Sequence, residues 1–152
     1  MKFDLFFLCF FGFSIFCTAG TQPPNIVLIM ADDLGAENLA CYGNTVHATP
    51  HLDRMAREGA LFNNAYASPV CTPTRAMIMT GLYPNRSGFL ERLDSKADVN
   101  KTNRLPVHLK TFGHLFQEAG YATAIAGKWH LGNFQKHPDQ PKSHGFDRHC
   151  LW

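Results

Sequence analysis

Hydrophobic positions along the chain alternate between continuous runs and helical spacings. Residues 25–31, Asn-Ile-Val-Leu-Ile-Met-Ala, are an apolar run bounded by Pro23-Pro24 and Asp32-Asp33-Leu34-Gly35. Such a run predicts a strand buried on both faces, as in a parallel sheet covered by helices. Residues 50–58 predict a short helix: Thr49 caps, Pro50 starts, Leu52, Met55 and Ala56 form an apolar side, and Gly59 ends it. Its histidine, His51, is expected at the surface with His47. Residues 60–67 then predict a second strand, with the helix as the crossover that a parallel pair requires. Pro73 and Gly81 bound a short apolar helix with Cys71 at its mouth. From His108, the spacing of Leu109, Phe112, Leu115, Phe116 and Ala119 predicts a helix that Gly120 stops. Residues 121–126 predict another buried strand, ending at Gly127-Lys128-Trp129-His130-Leu131-Gly132. Residues 82–104 show no sustained period and are expected to be a surface loop, and the tail 133–152, rich in Pro, Lys and His, is expected to carry its histidines in loops. The alternation predicts an α/β fold with a parallel-rich sheet flanked by helices.

Composition changes this picture little. The 152 residues, 45% hydrophobic and 17% charged, suit one modest globular domain. A formal charge of +2 without a basic run excludes a nucleic-acid footprint. The amino-terminal pattern matters more. Lys2, the apolar residues 5–16 and Thr18-Ala19-Gly20 predict a signal peptide over residues 1–20, leaving 21–152 as the mature portion. The apolar run is too short for a stable membrane span of ~20 residues. Export, to the periplasm or outside the cell, or to lysosomes in a eukaryote, implies an oxidising compartment. Removing the leader takes Cys9 and Cys17 of the 5 cysteines and leaves Cys41, Cys71 and Cys150. This odd set suggests another use for one thiol. Cys41 and Cys150 either pair or stay free. Asn85-Arg86-Ser87 and Asn100-Lys101-Thr102 fit the glycosylation sequon.

Candidate chemistry gathers at strand ends and at one helix start. Cys71 at the mouth of its helix meets orphan N–H groups and the positive end of the helix dipole, and Arg75 lies one turn on. The alternative is a small buried hydrophobe. Asp32 and Asp33 follow the first strand, on the rim where open α/β sheets bind ligands. They can converge on one ion only where the backbone turns. Hard oxygen donors suit Ca²⁺ or Mg²⁺, whereas a helix cap is the competing role. Extended backbone past residue 126 would put Lys128 and His130 on one side and Trp129 on the other, with a solvated lysine and surface histidine as the alternative. His137, His144 and His149 lack zinc-ligand spacing and are expected in loops.

Residues 71–81 resemble the signature of the type I sulfatases, Cys-x-Pro-Ser/Thr/Ala-Arg, two spacers, two apolar residues and a small residue before Gly. Residues 120–130 resemble the second signature, Gly-Tyr-x-Thr followed by Gly-Lys-Trp-His, and Gly145-Phe146-Asp147 is similar to the family segment after it. The resemblance implies an alkaline-phosphatase-like sheet, incomplete here because the match covers only the family's amino-terminal portion. It implies sulfate ester hydrolysis by the hydrate of formylglycine formed from Cys71. Catalytic roles fall to Cys71, Arg75, Lys128 and His130. Metal ligation falls to Asp32, Asp33 and the modified Cys71, with Ca²⁺ expected before Mg²⁺. The implied partners are a sulfated small molecule or carbohydrate and a formylglycine-generating maturation enzyme. Further metal ligands of the family lie in later segments that have no match here, so no turnover is expected of these 152 residues alone. Phosphate or phosphonate ester hydrolysis, and a non-catalytic carbohydrate-binding relic, are the rival readings.

Overall fold

A computed structural model describes residues 22–90, 104–133 and 136–152. The expected signal peptide and the sequon at Asn100 lie outside them. Two compact units divide the chain, Met1–Ala31 and Asp32–Trp152.

The described part of the first unit, residues 22–31, has no regular secondary structure. The apolar run expected as a doubly buried strand is instead exposed, with Val27 and Ile29 each 82% accessible. A strand persists only when neighbours take up its N–H and C=O groups. Among the described residues the sheet has two strands, neither from this run.

In the second unit, two short 3-10 turns, Ala36–Asn38 and Ala40–Tyr42, lead to helix α1, Pro50–Glu58. Thr49 occupies the cap position, but its hydroxyl donates to Asp53 Oδ1 at 2.9 Å and accepts from Ala40 N at 3.0 Å rather than closing the first turn. The expected apolar side is not buried: Leu52 and Met55 are 43% and 63% accessible. His51 and His47 are exposed, as expected. Residues 60–67 are an exposed connection rather than the expected strand. Asn63-Asn64 interrupts their apolar pattern, and no neighbouring strand pairs with them among the described residues.

Helix α2, Cys71–Thr80, is the central element, with Thr72, Pro73, Thr74, Ala76 and Met79 buried. Gly81 ends it in the left-handed conformation, φ 68°, where a side chain would be strained. Residues 82–90 are not wholly loop: Pro84 starts a one-turn helix α3, Pro84–Ser87. In the sequon of this turn Asn85 is exposed and Ser87 buried.

Helix α4, Phe112–Glu118, starts later than its hydrophobic spacing suggests because Thr111 and His114 form a capping box. The Thr111 N–H donates to His114 Nδ1 at 3.1 Å, and the Thr111 hydroxyl donates to the His144 carbonyl at 2.6 Å. Strand β1, Ala124–Gly127, pairs in parallel with β2, Arg148–Leu151, in the register Ala124↔Arg148 to Gly127↔Leu151. The parallel pairing matches the expected class, although alternate residues of both strands are exposed. At the start of β1, Asp147 accepts from the Thr123 N–H at 2.8 Å and from Gln117 Nε2 at 2.7 Å. These hydrogen bonds, led by the Thr123 N–H, lower the Asp147 pKa.

The carboxy-terminal stretch is structured, contrary to the loop expectation. It holds a 3-10 turn, Lys142–His144, and all of β2. His144 is fully buried, whereas His149 lies in β2 and His137 is exposed. Pairing with β1 and burial against a core organise this stretch. That core comprises Ala76, Met79, Phe89, Leu105, Trp129, Leu131 and Phe146, with Leu109, Phe112, Ile125 and Leu151 packed against it. Each large side chain in it contributes roughly 1.5–3 kcal/mol of transfer free energy.

Candidate active site

Helix α2 places Cys71 at its first residue, and Val70 before it offers no side-chain cap. Pro73 has no N–H, so the open first turn presents only the N–H groups of Cys71 and Thr72. Arg75, one turn on, extends along the same face. Its Nη1 donates to the Lys128 carbonyl at 2.5 Å, and its Nη2 lies 3.4 Å from Asp32 Oδ2. Arg75 Nε is buried and has no hydrogen-bond partner among the described residues.

The facing segment leaves β1 at Gly127. There, φ values of 104° at Gly127 and 50° at His130 break the extended conformation. A left-handed non-glycine residue costs roughly 1–3 kcal/mol and persists only where its surroundings hold it. The sidedness expected from an extended chain nevertheless holds. Trp129 is buried at 1% accessibility, while Lys128 and His130 reach α2. His130 Nδ1 lies 3.1 Å from Cys71 Sγ and 3.4 Å from Thr72 Oγ1. Lys128 Nζ lies 3.7 Å from Cys71 Sγ and forms an ion pair with Asp32.

Asp32, Cys71, Arg75, Lys128 and His130 therefore meet at one place. Asp33 does not join them: it is exposed, and among the described residues no hydrogen bond or ion pair ties it to the group. It does adopt φ 56°, the backbone turn that convergence of neighbouring carboxylates requires. Neither aspartate caps the following 3-10 turn, where Gly35 holds the cap position. Sequence reasoning missed Thr72, a fully buried spacer in the signature, and the Asp32–Lys128 pair. Alternation within 128–130 signalled the shared side, but no local pattern links residues 96 positions apart.

Charge at this place is balanced toward the positive. Lys128 and Arg75 face one carboxylate, leaving one surplus cation for an anionic ligand. The hydrogen bond from Lys128 lowers the Asp32 pKa, and the nearby Arg75 adds to that effect against partial burial. Reciprocally, Asp32 raises the Lys128 pKa, with further support from the Cys71 sulfur. Both groups are partly exposed, at 26% and 34%, so water screens the pair and its net worth is below about 1 kcal/mol. Its role is to place charge.

A divalent cation finds the right kind of donor here but too few of them. Ca²⁺ takes about six to eight oxygen ligands. Asp32 and Asp33 supply carboxylates, yet Asp32 Oδ2 is engaged by two cationic side chains. Among the described residues no group of three or more His, Cys, Asp or Glu side chains is arranged to hold a metal. Donor chemistry fits; donor number is incomplete among the described residues. An oxygen replacing sulfur at Cys71 also fits, since imidazole and ammonium groups already face that atom.

The family model described as Sulfatase matches residues 24–152. The chain is similar to mouse (Mus musculus) steryl-sulfatase, at 47% identity over 137 residues, covering 84% of this chain and 22% of that protein. It is also similar to pig (Sus scrofa) N-acetylgalactosamine-6-sulfatase, at 42% identity over 135 residues, covering 86% of this chain and 26% of that protein. A solved structure concerning glycosaminoglycan metabolism by Bacteroides thetaiotaomicron superposes with a TM-score of 0.73 at 39% identity, covering 87% of this chain and 28% of that one. The chain thus spans about a quarter of the length of the curated relatives it matches.

Proposed function

The chain belongs to the sulfatase family, and from that premise we propose that its residues form part of a site that hydrolyses sulfate esters. The observation that carries this reading is the convergence of Cys71, Arg75, Lys128 and His130 with Asp32, drawn from three separate segments. Cys71 converted to formylglycine supplies, as the aldehyde hydrate, the oxygen nucleophile that a thiol lacks. A divalent metal, calcium before magnesium, would be held by Asp32, Asp33 and the modified Cys71 together with donors from outside these residues, and it would polarise a sulfate oxygen.

This chain's own residues do the rest. Lys128 and Arg75 offset charge that builds on the sulfuryl oxygens, from positions fixed by Asp32 and by the Lys128 carbonyl. His130, with Nδ1 toward Cys71, holds or moves the proton of an oxygen at that position. The opening of α2 directs backbone N–H groups toward the same anion. By analogy with relatives named for steroid and amino-sugar sulfates, the substrate is a sulfated small molecule or carbohydrate. A maturation enzyme that makes formylglycine, a signal peptide at 1–20, a mature portion from 21 and an exported or lysosomal destination complete the proposal. No helix among the described residues is long and apolar enough to cross a membrane.

The test places these residues in a protein of the relatives' full length and follows aryl sulfate hydrolysis, with an aryl phosphate as control. Cys71→Ala is expected to abolish sulfate release. Retained sulfate release in that variant refutes Cys71 as the source of the nucleophile, and preference for phosphate refutes the sulfatase reading.

A further inference from the structure

Beyond Gly127 the segment 128–131 loses its strand ladder, since Gly127↔Leu151 is the last pair of the register. It nonetheless holds His130 in a left-handed conformation beside Cys71. On the side away from Cys71, one side chain reaches two residues of this segment. Gln140 is 4% accessible, and both polar atoms of its amide are engaged. Its Oε1 accepts from Trp129 Nε1 at 3.2 Å, and its Nε2 lies 3.0 Å from the Leu131 carbonyl and 3.5 Å from that of Leu105. The Leu131 carbonyl also accepts from the Leu105 N–H at 2.6 Å. Gly132 leaves the necessary room, because a Cβ there would overlap the Gln140 amide.

We propose that Gln140 is a positioning residue for Lys128 and His130: by gripping Trp129 and Leu131 from the buried side, it fixes the alternating side chains that face Cys71. The proposal deepens the sulfatase reading and rests on it for the word function, but its geometry stands apart from turnover. Gln140 replaces the missing ladder. Trp129 and Leu131 flank His130 in sequence, so holding both ends of this tripeptide restricts the φ and ψ of the residue between them. An apolar side chain of similar size would fill the volume without supplying the acceptor for Trp129 or the donors for the two carbonyls.

The experiment uses the 152-residue chain with its Cys71 thiol intact and uniform ¹⁵N label, so that backbone amides and histidine rings are both read, with His130→Gln assigning the His130 signals. Replacing Cys71 by Ser is expected to shift the His130 ring resonances, because the two groups are in contact. In Gln140→Leu that response is expected to be lost while the amide signals of α2 keep their dispersion. A His130 response equal to the parent's overturns the proposal and leaves Gln140 as packing alone.

Should Gln140→Leu fail to fold, Gln140→Glu supplies the answer. A protonated carboxyl keeps the acceptor for Trp129 and one donor, whereas an ionised one faces two carbonyls with no donor. Fully buried carboxyls titrate as high as about pH 8–9. Read against the parent at each pH, the response is expected to be present below that titration and lost above it. A response that ignores the titration overturns the proposal. The ring resonance reports geometry rather than sulfate release, so each reading can fail while the other survives.

Discussion

The two faces of residues 128–131 divide the work between wet charge and dry packing. Toward α2, Lys128 and His130 lie among partly exposed polar groups. On the opposite face Trp129 and Leu131 are almost wholly buried, with Gln140 and His144 as their polar neighbours. Partly exposed ion pairs gain little energy and order two long side chains only weakly. The difference teaches that the charged face borrows its precision from the buried one.

The sharpest way to break this asymmetry is Trp129→Ala. Loss of a buried indole is expected to cost about 3–5 kcal/mol in a denaturant melt, and a loss under about 1 kcal/mol would show that the dry face does not hold the segment.

Acid provides a graded version. His144 lies under Trp129 with ring centroids 6.1 Å apart, and its Nε2 is 3.2 Å from the Leu105 carbonyl. Burial lowers its pKa from 6.5, and nearby His114 and Arg104 also oppose a second positive charge. The folded form therefore binds this proton less readily than the unfolded chain. The contribution is complete above pH ~6.5 and is lost as pH falls from there toward the lowered native value. Melts across this window should show stability falling with acid in the parent and a weaker slope in His144→Gln. An unchanged slope would assign the acid response elsewhere.

The smallest stability effect is expected on the wet face. Asp32→Asn should cost below about 1 kcal/mol in the same melt, because the pair it removes is partly solvated. It should also remove a contribution that is present above pH 3.8 and lost as pH falls through the lowered native value of Asp32. A cost comparable to Trp129→Ala would reverse the ranking of the faces.

Much of this arrangement is legible in the sequence because it depends on local rules. Pro73 and Gly81 bracket α2, the spacing Leu109 to Ala119 marks the region of α4, and alternation over 128–130 separates Trp129 from its neighbours. What stayed hidden depends on partners distant in sequence. Residues 25–31 and 60–67 have strand-like composition, but a strand is completed by its neighbours. His144 and Gln140 look like members of a polar tail because their burial arises from Leu105, Trp129 and Leu131. The capping role of His114 was obscured because a capping box usually carries Glu or Gln at that position.

The Asp32–Lys128 pair spans 96 positions of the chain. At about 5–20 residues per second, a ribosome makes the lysine roughly 5–20 s after the aspartate. Throughout that interval the carboxylate must stay hydrated or find a temporary companion, so the anchor of the charged face cannot close until both segments have been made.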